Sequence, residues 1–378
     1  LPFIQTAAGT ELHSDVLRQT LEGHSDSVIS VAFSSDGKML VLALDNTIQL
    51  WNAETWSHQQ TFKGHSGRHV TSINSIAFSP NSKTLVAVSS TSIQLWDTAT
   101  GSYQQILHRL NNWATSTQVA FSPNSKMLAL VLDNTIQLWN AETWSHQQIL
   151  HGPSIWATSS QVAFSPNGKM LALVLYDTIQ LWNAETWSHQ QTFKAIGYGY
   201  LKSIESITFS LDSKTLVAVS YMAIHLWDTA TGSYRQVLAR RGSSWVKSLA
   251  FSPDNKMLAL VLDGKTIQLL DTDTGGQHLS DRYSRSVTSM AFSSDGKYLT
   301  TNFGSLPLTP MSVSSEYPNN DCPSNHTLYI TEEWIILNGK KSLWLPAGCR
   351  ASKTAVYGNK IVLEHGSGGL AFLEFKFT

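Results

Sequence analysis

Residues 118–151 and 161–194 are one text written twice. The first reads QVAFSPNSKMLALVLDNTIQLWNAETWSHQQILH and the second QVAFSPNGKMLALVLYDTIQLWNAETWSHQQTFK, 43 residues later. They differ only at Ser125/Gly168, Asp133/Tyr176, Asn134/Asp177, Ile149/Thr192, Leu150/Phe193 and His151/Lys194. Each copy reads as three strands and the start of a fourth, separated by turn residues. A period in the forties with Trp closing each unit implies a radial array of small antiparallel sheets, a β-propeller.

The rhythm runs through most of the chain. Phe33, Phe78, Phe121, Phe164, Phe209, Phe251 and Phe292 end first strands at spacings of 41 to 45 residues. Trp51, Trp96, Trp139, Trp182 and Trp227 end third strands, and Leu270 takes that place in the next unit. Second strands such as 127–131 and 215–219 are apolar almost without alternation, as strands covered on both faces are. After Phe303 the rhythm fails. The segment 304–324 is rich in Pro, Ser and Asn and reads as an irregular insertion, because Pro307, Pro310, Pro318 and Pro323 oppose a continuous central strand. A degenerate last unit follows, with strands at 353–357, 360–364 and 369–375. It lacks a fourth strand, and the text 16–21 near the start is a fourth strand without a blade. The expected fold is therefore all-β: an eight-bladed propeller of four-stranded antiparallel blades closed by strands from both termini, with seven blades as the alternative. The expected organisation is an N-terminal extension over 1–14 and the propeller over 15–378.

Apolar residues make up 42% of the chain and charged residues 14%, which suits strands with few solvated helices. A formal net charge of −1 gives no field for nucleic acid, and no basic run marks a phosphate footprint. No apolar run reaches the roughly 20 residues of a membrane-spanning helix. Cys322 and Cys349 are too few for a disulfide framework, so a reducing, cytoplasmic setting is the simpler reading, with a single bridge between them as the alternative. The chain begins at Leu1, as expected of a piece of a longer protein.

Gly23-His24, Gly64-His65, Trp96-Asp97, Trp227-Asp228 and the Ser-Pro-Asn turns are similar to the motifs of WD-repeat propellers. The resemblance covers residues 15–302 strongly. It implies a linked set of His, Ser or Thr, Asp and Trp in each unit, which His24, Asp45 and Trp51 keep best; Ser90, Tyr176 and Tyr221 stand near the place of the Asp in other units. Apolar packing with little polar cross-bracing is expected in consequence. The near-identical repeats and the text Trp344-Leu345-Pro346 to Ala355-Val356-Tyr357-Gly358-Asn359 also resemble the C-terminal propellers of fungal NACHT-type signal-transducing NTPases. That likeness implies a recognition domain of a nucleotide-switch protein.

No catalytic set stands out. His58, His146 and His189 recur because the repeat does, and Gly366-Ser367-Gly368-Gly369 reads as a hairpin turn rather than a phosphate cradle, since no helix follows. Neither a metal nor a cofactor is expected. The informative residues lie where the repeats disagree. The loops entering each first strand bring Arg68, His69, Arg109, Trp113, Trp156, Tyr198, Tyr200, Arg241, Trp245, Arg282 and Tyr283 to one expected face. Aromatic and Arg side chains are the types that anchor interfaces. The expected function is a non-catalytic recognition or scaffold module, monomeric as an isolated domain, that binds a protein or ligand across this face. The alternative is an enzyme or small-molecule binder using the channel mouth. On the opposite face, Trp56, Trp144 and Trp187 stand where sister turns hold Gly101 and Gly232. They cap the outer hairpin or bind a partner.

Overall fold

The computed structural model describes residues 17–21, 28–44, 47–63, 73–89, 92–100, 102–109, 117–132, 135–151, 161–175, 178–194, 204–220, 223–239, 246–283, 286–308, 328–331, 333–338, 340–345, 351–365 and 370–375. Every regular element among them is a strand. The strands form eight antiparallel sheets, the blades of a β-propeller. In chain order the blades span 28–63, 73–109, 117–151, 162–194, 204–239, 246–282, 290–344 and 351–374. By contact the chain falls into two compact units, 1–74 with 282–378, and 75–281.

Two turn chemistries set the strands. At the first hairpin of seven blades a Ser hydroxyl donates to an Asx side chain two residues on, as in Ser34 to Asp36 at 2.6 Å and Ser122 to Asn124 at 2.7 Å. The same Asx oxygen takes a backbone N–H, and the Ser oxygen takes the N–H that opens the second strand (Met39 to Ser34, 3.0 Å). These side chains replace the backbone partners that a tight turn leaves unmet. The next residue is left-handed: Gly37, Ser82, Ser125, Gly168, Ser213, Asn255 and Gly296 have φ between 59° and 71°. At the third-to-fourth strand turn, Asn52, Asp97, Asn140, Asn183, Asp228 and Asp271 each accept two backbone N–H groups. Hydrogen bonds to the charged form lower a carboxyl pKa, and the Thr231 N–H does so at Asp228.

The apolar second strands fill the space between blades. Leu40–Leu44 and Leu171–Val174 are almost wholly buried, and each large aliphatic side chain so buried is worth about 1.5–3 kcal/mol. Within residues 75–281 the packing runs blade to blade. Val86, Val88, Ile93 and Leu95 of the second blade meet Leu128 and Leu130 of the third. Val131, Ile136 and Leu138 of the third meet Leu171 and Leu173 of the fourth.

The tip tryptophans belong to this packing. Trp144 lies against the cluster joining the second and third blades, and Trp187 against that joining the third and fourth. Each sits in a left-handed conformation, φ 55° and 56°, where Gly232 and Gly275 at φ 71° occupy the same turn position in the fifth and sixth blades. At Gly232 the side chain of Gln191 from the fourth blade occupies the space a Cβ would need. The capping alternative therefore holds, and the cap reaches across to the preceding blade.

In the unit formed by 1–74 and 282–378, Leu17–Leu21 pairs antiparallel with Leu370–Glu374 as the outer strand of the last blade, in the register Leu17↔Glu374 to Leu21↔Leu370. Both termini thus build one sheet, as expected. Trp56 is 2% exposed and packs on Phe372 of that sheet at 4.9 Å and on Phe33 at 6.5 Å. The Tyr357 ring lies over Gly37, and its hydroxyl donates to the Ser35 carbonyl at 3.2 Å.

The seventh sheet departs from the sequence reading. It has six strands, two more than its sister blades. The irregular insertion expected from residue 304 starts later, because Gly304–Pro307 is a strand paired with Tyr298–Thr301. Leu308 N–H donates to the Lys297 carbonyl at 2.9 Å, which makes Tyr298↔Pro307 a non-hydrogen-bonded pair. The missing N–H of Pro307 therefore costs this ladder nothing. Residues 309–327 lie outside the described residues, as do Cys322, Cys349 and the 366–369 turn.

Polar links between blades are more numerous than expected. Asn81 N–H donates to Ser125 Oγ at 3.0 Å, Asn167 N–H to Ser213 Oγ at 3.1 Å and Leu211 N–H to Asn255 Oδ1 at 2.7 Å, each tying one hairpin turn to the next blade's. These links are separate from the WD set of residues, of which His24 and Asp45 lie outside the described residues. Gly37, Gly168 and Gly296 replace the linking side chain in three turns, and at the first two the consequences are opposite. A Cβ on Gly168 would meet open space up to Asn124 at 4.0 Å, whereas on Gly37 it would lie 1.9 Å from the Tyr357 ring. Gly168→Ser is expected to change stability by less than about 0.5 kcal/mol, a new hydrogen bond offsetting the cost of the left-handed backbone. Gly37→Ser is expected to cost about 1–3 kcal/mol by displacing Tyr357. Equal shifts of the two denaturation midpoints would contradict this packing.

Candidate functional site

In each four-stranded blade the strands follow one another in space, so the segment entering the first strand and the second hairpin share one end of the sheet. The entry segments 64–72, 110–116, 152–160, 195–203 and 240–245 all join the outer strand of one blade to the first strand of the next. They lie outside the described residues, and with them Arg68, His69, Trp113, Trp156, Tyr198, Tyr200, Arg241 and Trp245. Arg109 and Arg282 are the last residues of the outer strands Tyr103–Arg109 and Gln277–Arg282, their backbones at the threshold of the next entry segment and their side chains outside the description. Tyr283 follows directly. It is half-buried, with its ring 5.8 Å from that of Phe303, itself 2% exposed. Tyr283 thus spends at least one ring face on packing within its own unit.

The starts of the blades are joined by polar side chains, part-buried at Gln161 and buried at Glu205 and Glu364, a frame that the sequence pattern did not predict. Gln161 stands just ahead of the fourth blade's first strand. Its amide donates to the Glu205 carbonyl and accepts from Ile207 N–H at 3.1 Å, so one side chain bridges two backbone groups of the fifth blade. Glu205 passes the connection on: its carboxylate accepts from Val246 N–H, the first residue of the sixth blade, at 3.0 Å. In the other unit Glu364 does the same for Val28 N–H, at 3.2 Å. Glu205 and Glu364 are 9% and 6% exposed. A carboxylate–amide bond of this kind is charge-assisted and stronger than a neutral one. The signal was present in the text, since Glu205 is the single charged residue of the first strand Ile204–Phe209. Its partner is 41 residues away, beyond any local pattern.

The histidines of the Trp-Ser-His tips have a structural use. The rings of His58, His146 and His189 meet those of Trp51, Trp139 and Trp182 edge to face at 5.0–5.4 Å. His58 and His189 also bond Thr61 and Thr192 at 2.8 and 2.9 Å. Among the described residues no group of three or more His, Cys, Asp or Glu is placed to hold a metal ion. No helix among them is long and apolar enough to cross a membrane.

A comparison with curated proteins finds no match. The family model described as WD domain, G-beta repeat matches residues 15–52 and 56–97. Each matched stretch begins with the outer strand of one blade and ends with the third strand of the next, Leu17–Leu21 through Thr47–Asn52 and His58–Lys63 through Ser92–Asp97. The sequence repeat is thus offset by one strand from the blade, which is why the first repeat supplies the last blade's outer strand. Two stretches similar to the WD repeat, in a chain whose sheets are eight propeller blades, support its reading as a WD-repeat β-propeller.

Proposed function

We propose that this chain is a non-catalytic recognition module that binds a protein partner through the loops entering its blades, as the sensor propeller of a larger cytoplasmic signalling protein of the fungal NACHT type. One observation carries the reading. The second and fifth blades carry the same second strand, Thr84–Ser89 and Thr215–Ser220, and the same turn text Asp-Thr-Ala-Thr-Gly-Ser-Tyr, yet their entry segments 64–72 and 195–203 agree only at the final Ser. Folding constrains the strands, so divergence concentrated in the entry segments marks where the two blades differ in use. WD-repeat propellers are in general protein-interaction scaffolds, and the side-chain bonds of Gln161 and Glu205 give the strands that bear such loops a fixed base. Within residues 75–281 the proposed contacts are Trp113, Trp156, Tyr198, Tyr200, Arg241 and Trp245. Arg109 is proposed to belong with them, and Arg68, His69, Arg282 and Tyr283 are proposed contacts of the other unit.

The test compares Trp156→Ala and Arg241→Ala with Glu142→Ala and Glu185→Ala on the opposite hairpin tips. Affinity capture from the source cell identifies the partner, and its binding to each purified variant is then measured. The loop variants are expected to weaken binding by about 30-fold each, the equivalent of about 2 kcal/mol at a hot spot, with melting within about 2 °C of the parent. Loop variants that melt far lower and still bind would assign those residues to the fold.

A further inference from the structure

The third strand of six blades carries Gln49, Gln94, Gln137, Gln180, His225 and Gln268 at one register position. His225 is the exception, and it is wholly buried. Gln49 and Gln180 accept the indole N–H of Trp51 and Trp182 at 3.2 Å. His225 instead stacks on Trp227, at 5.5 Å and 19° between ring planes. Its Nε2 is 3.2 Å from Ser220 Oγ, and its Nδ1 is 3.4 Å from the Tyr234 hydroxyl.

These contacts define the tautomer. Ser220 donates its own hydroxyl proton to the Ala223 carbonyl at 3.1 Å, so its oxygen is left to accept from His225. Nε2 therefore carries the proton, and Nδ1 accepts from Tyr234. The chain of donors runs from Tyr234, 37% exposed on the outer strand, inward to the carbonyl of Ala223, the first residue of the third strand.

We propose that the fifth blade contains a proton-operated lock, in which Tyr234, His225 and Ser220 hold the outer strand Tyr234–Ala239 in place only while the imidazole is neutral. A proton on Nδ1 would face the Tyr234 O–H, whose hydrogen would have to turn away, and would leave a charge with no counter-ion. The charged groups of the neighbouring strands are directed elsewhere. Arg235 bonds Thr215 at 2.9 Å and pairs with Asp273 at 3.6 Å; Asp228 accepts from Ala230, Thr231 and the Thr231 hydroxyl. Glu205 accepts from Val246, His189 bonds Thr192, and Lys194 is exposed. Burial alone pushes the His225 pKa down, to about 4 from 6.5. A depressed His pKa means that the opened state takes up the proton first. The lock is complete above pH 6.5, weakens as pH falls from 6.5 to about 4, and changes no further below that.

The test is amide hydrogen exchange on the whole chain between pH 7.5 and pH 4, corrected for intrinsic exchange, comparing residues 234–239 with the equivalent strand 189–194. Protection of 234–239 is expected to fall by up to about tenfold per pH unit within the window, one proton's worth, with 189–194 unchanged. His225→Gln, which installs the residue of the sister blades, is expected to keep the protection and abolish its pH dependence. Tyr234→Phe keeps the ring and removes the donor that favours neutral imidazole, so the lower end of the window is expected to rise toward 6.5 and the window to narrow. Flat protection in the parent, an unchanged slope in His225→Gln, or an unmoved lower end of the window in Tyr234→Phe would each overturn the lock.

Discussion

A chain lacking residues 1–22 is expected to lose about 3–5 kcal/mol of stability and to self-associate. The deletion removes Leu17–Leu21, whose five register pairs with Leu370–Glu374 complete the last blade. A net value of ~1 kcal/mol per ladder hydrogen bond sets that scale. The loss should extend beyond one edge. Phe372 and Leu370 of the uncovered strand are wholly buried, and they pack with Val28, Leu42 and Trp56 of the first blade. Loosening the last sheet therefore loosens the first. The uncovered strand would also present an unpaired row of backbone donors and acceptors, the usual template for edge-to-edge pairing. Denaturation midpoints and light scattering measure the two effects. A synthetic peptide of residues 15–22 added in trans should restore both by strand addition. A deleted chain that melts like the parent and stays monomeric would show that the terminal strand is dispensable.

Trp56→Ala is expected to cost about 3–5 kcal/mol, as truncation of a buried aromatic does. Trp56 contacts Phe372 and Phe33, and Lys360 Nζ lies 6.0 Å from its ring centre. The same site predicts an inverted order of replacements. Trp56 has φ 55°, a conformation that penalises any residue with a Cβ. Trp56→Gly loses the same packing but recovers about 1 kcal/mol of backbone strain, as Gly232 and Gly275 show by occupying that position in other blades. Glycine should therefore be the more stable replacement, against its usual rank below alanine. Chemical denaturation of both variants decides this, and an alanine variant more stable than the glycine variant would refute the left-handed constraint. At Trp144 and Trp187, which are half-buried, the losses should be smaller.

Much of this architecture is written in consecutive residues. The turns Ser-x-Asx-x-Lys and Asx-x-x-Thr close on themselves through side chains two to five positions away, so any copy of the text makes the same hairpin. Blade count and the pairing of the two terminal segments follow from counting such units. The loop-borne residues were legible only against the copied strands, and Trp113 and Trp156 recur within a shared Trp-Ala-Thr-Ser.

What the text could not carry are roles set by a neighbouring blade. Trp56 read equally well as a partner-binding tip or a cap until Phe372, 316 positions later, came to lie 4.9 Å away. Glu205 is a lone acid in a strand until Val246 N–H meets it, and His225 is one more histidine until Ser220, Tyr234 and burial hold it neutral. The two added strands of the seventh sheet likewise depend on a pairing across residues 308–327, where Gly304 meets Tyr329. Turn and strand preferences belong to the local backbone and were determined by the sequence alone. Burial, left-handed strain offset by packing, and the protonation of an enclosed ring depend on atoms that only the tertiary structure brings together.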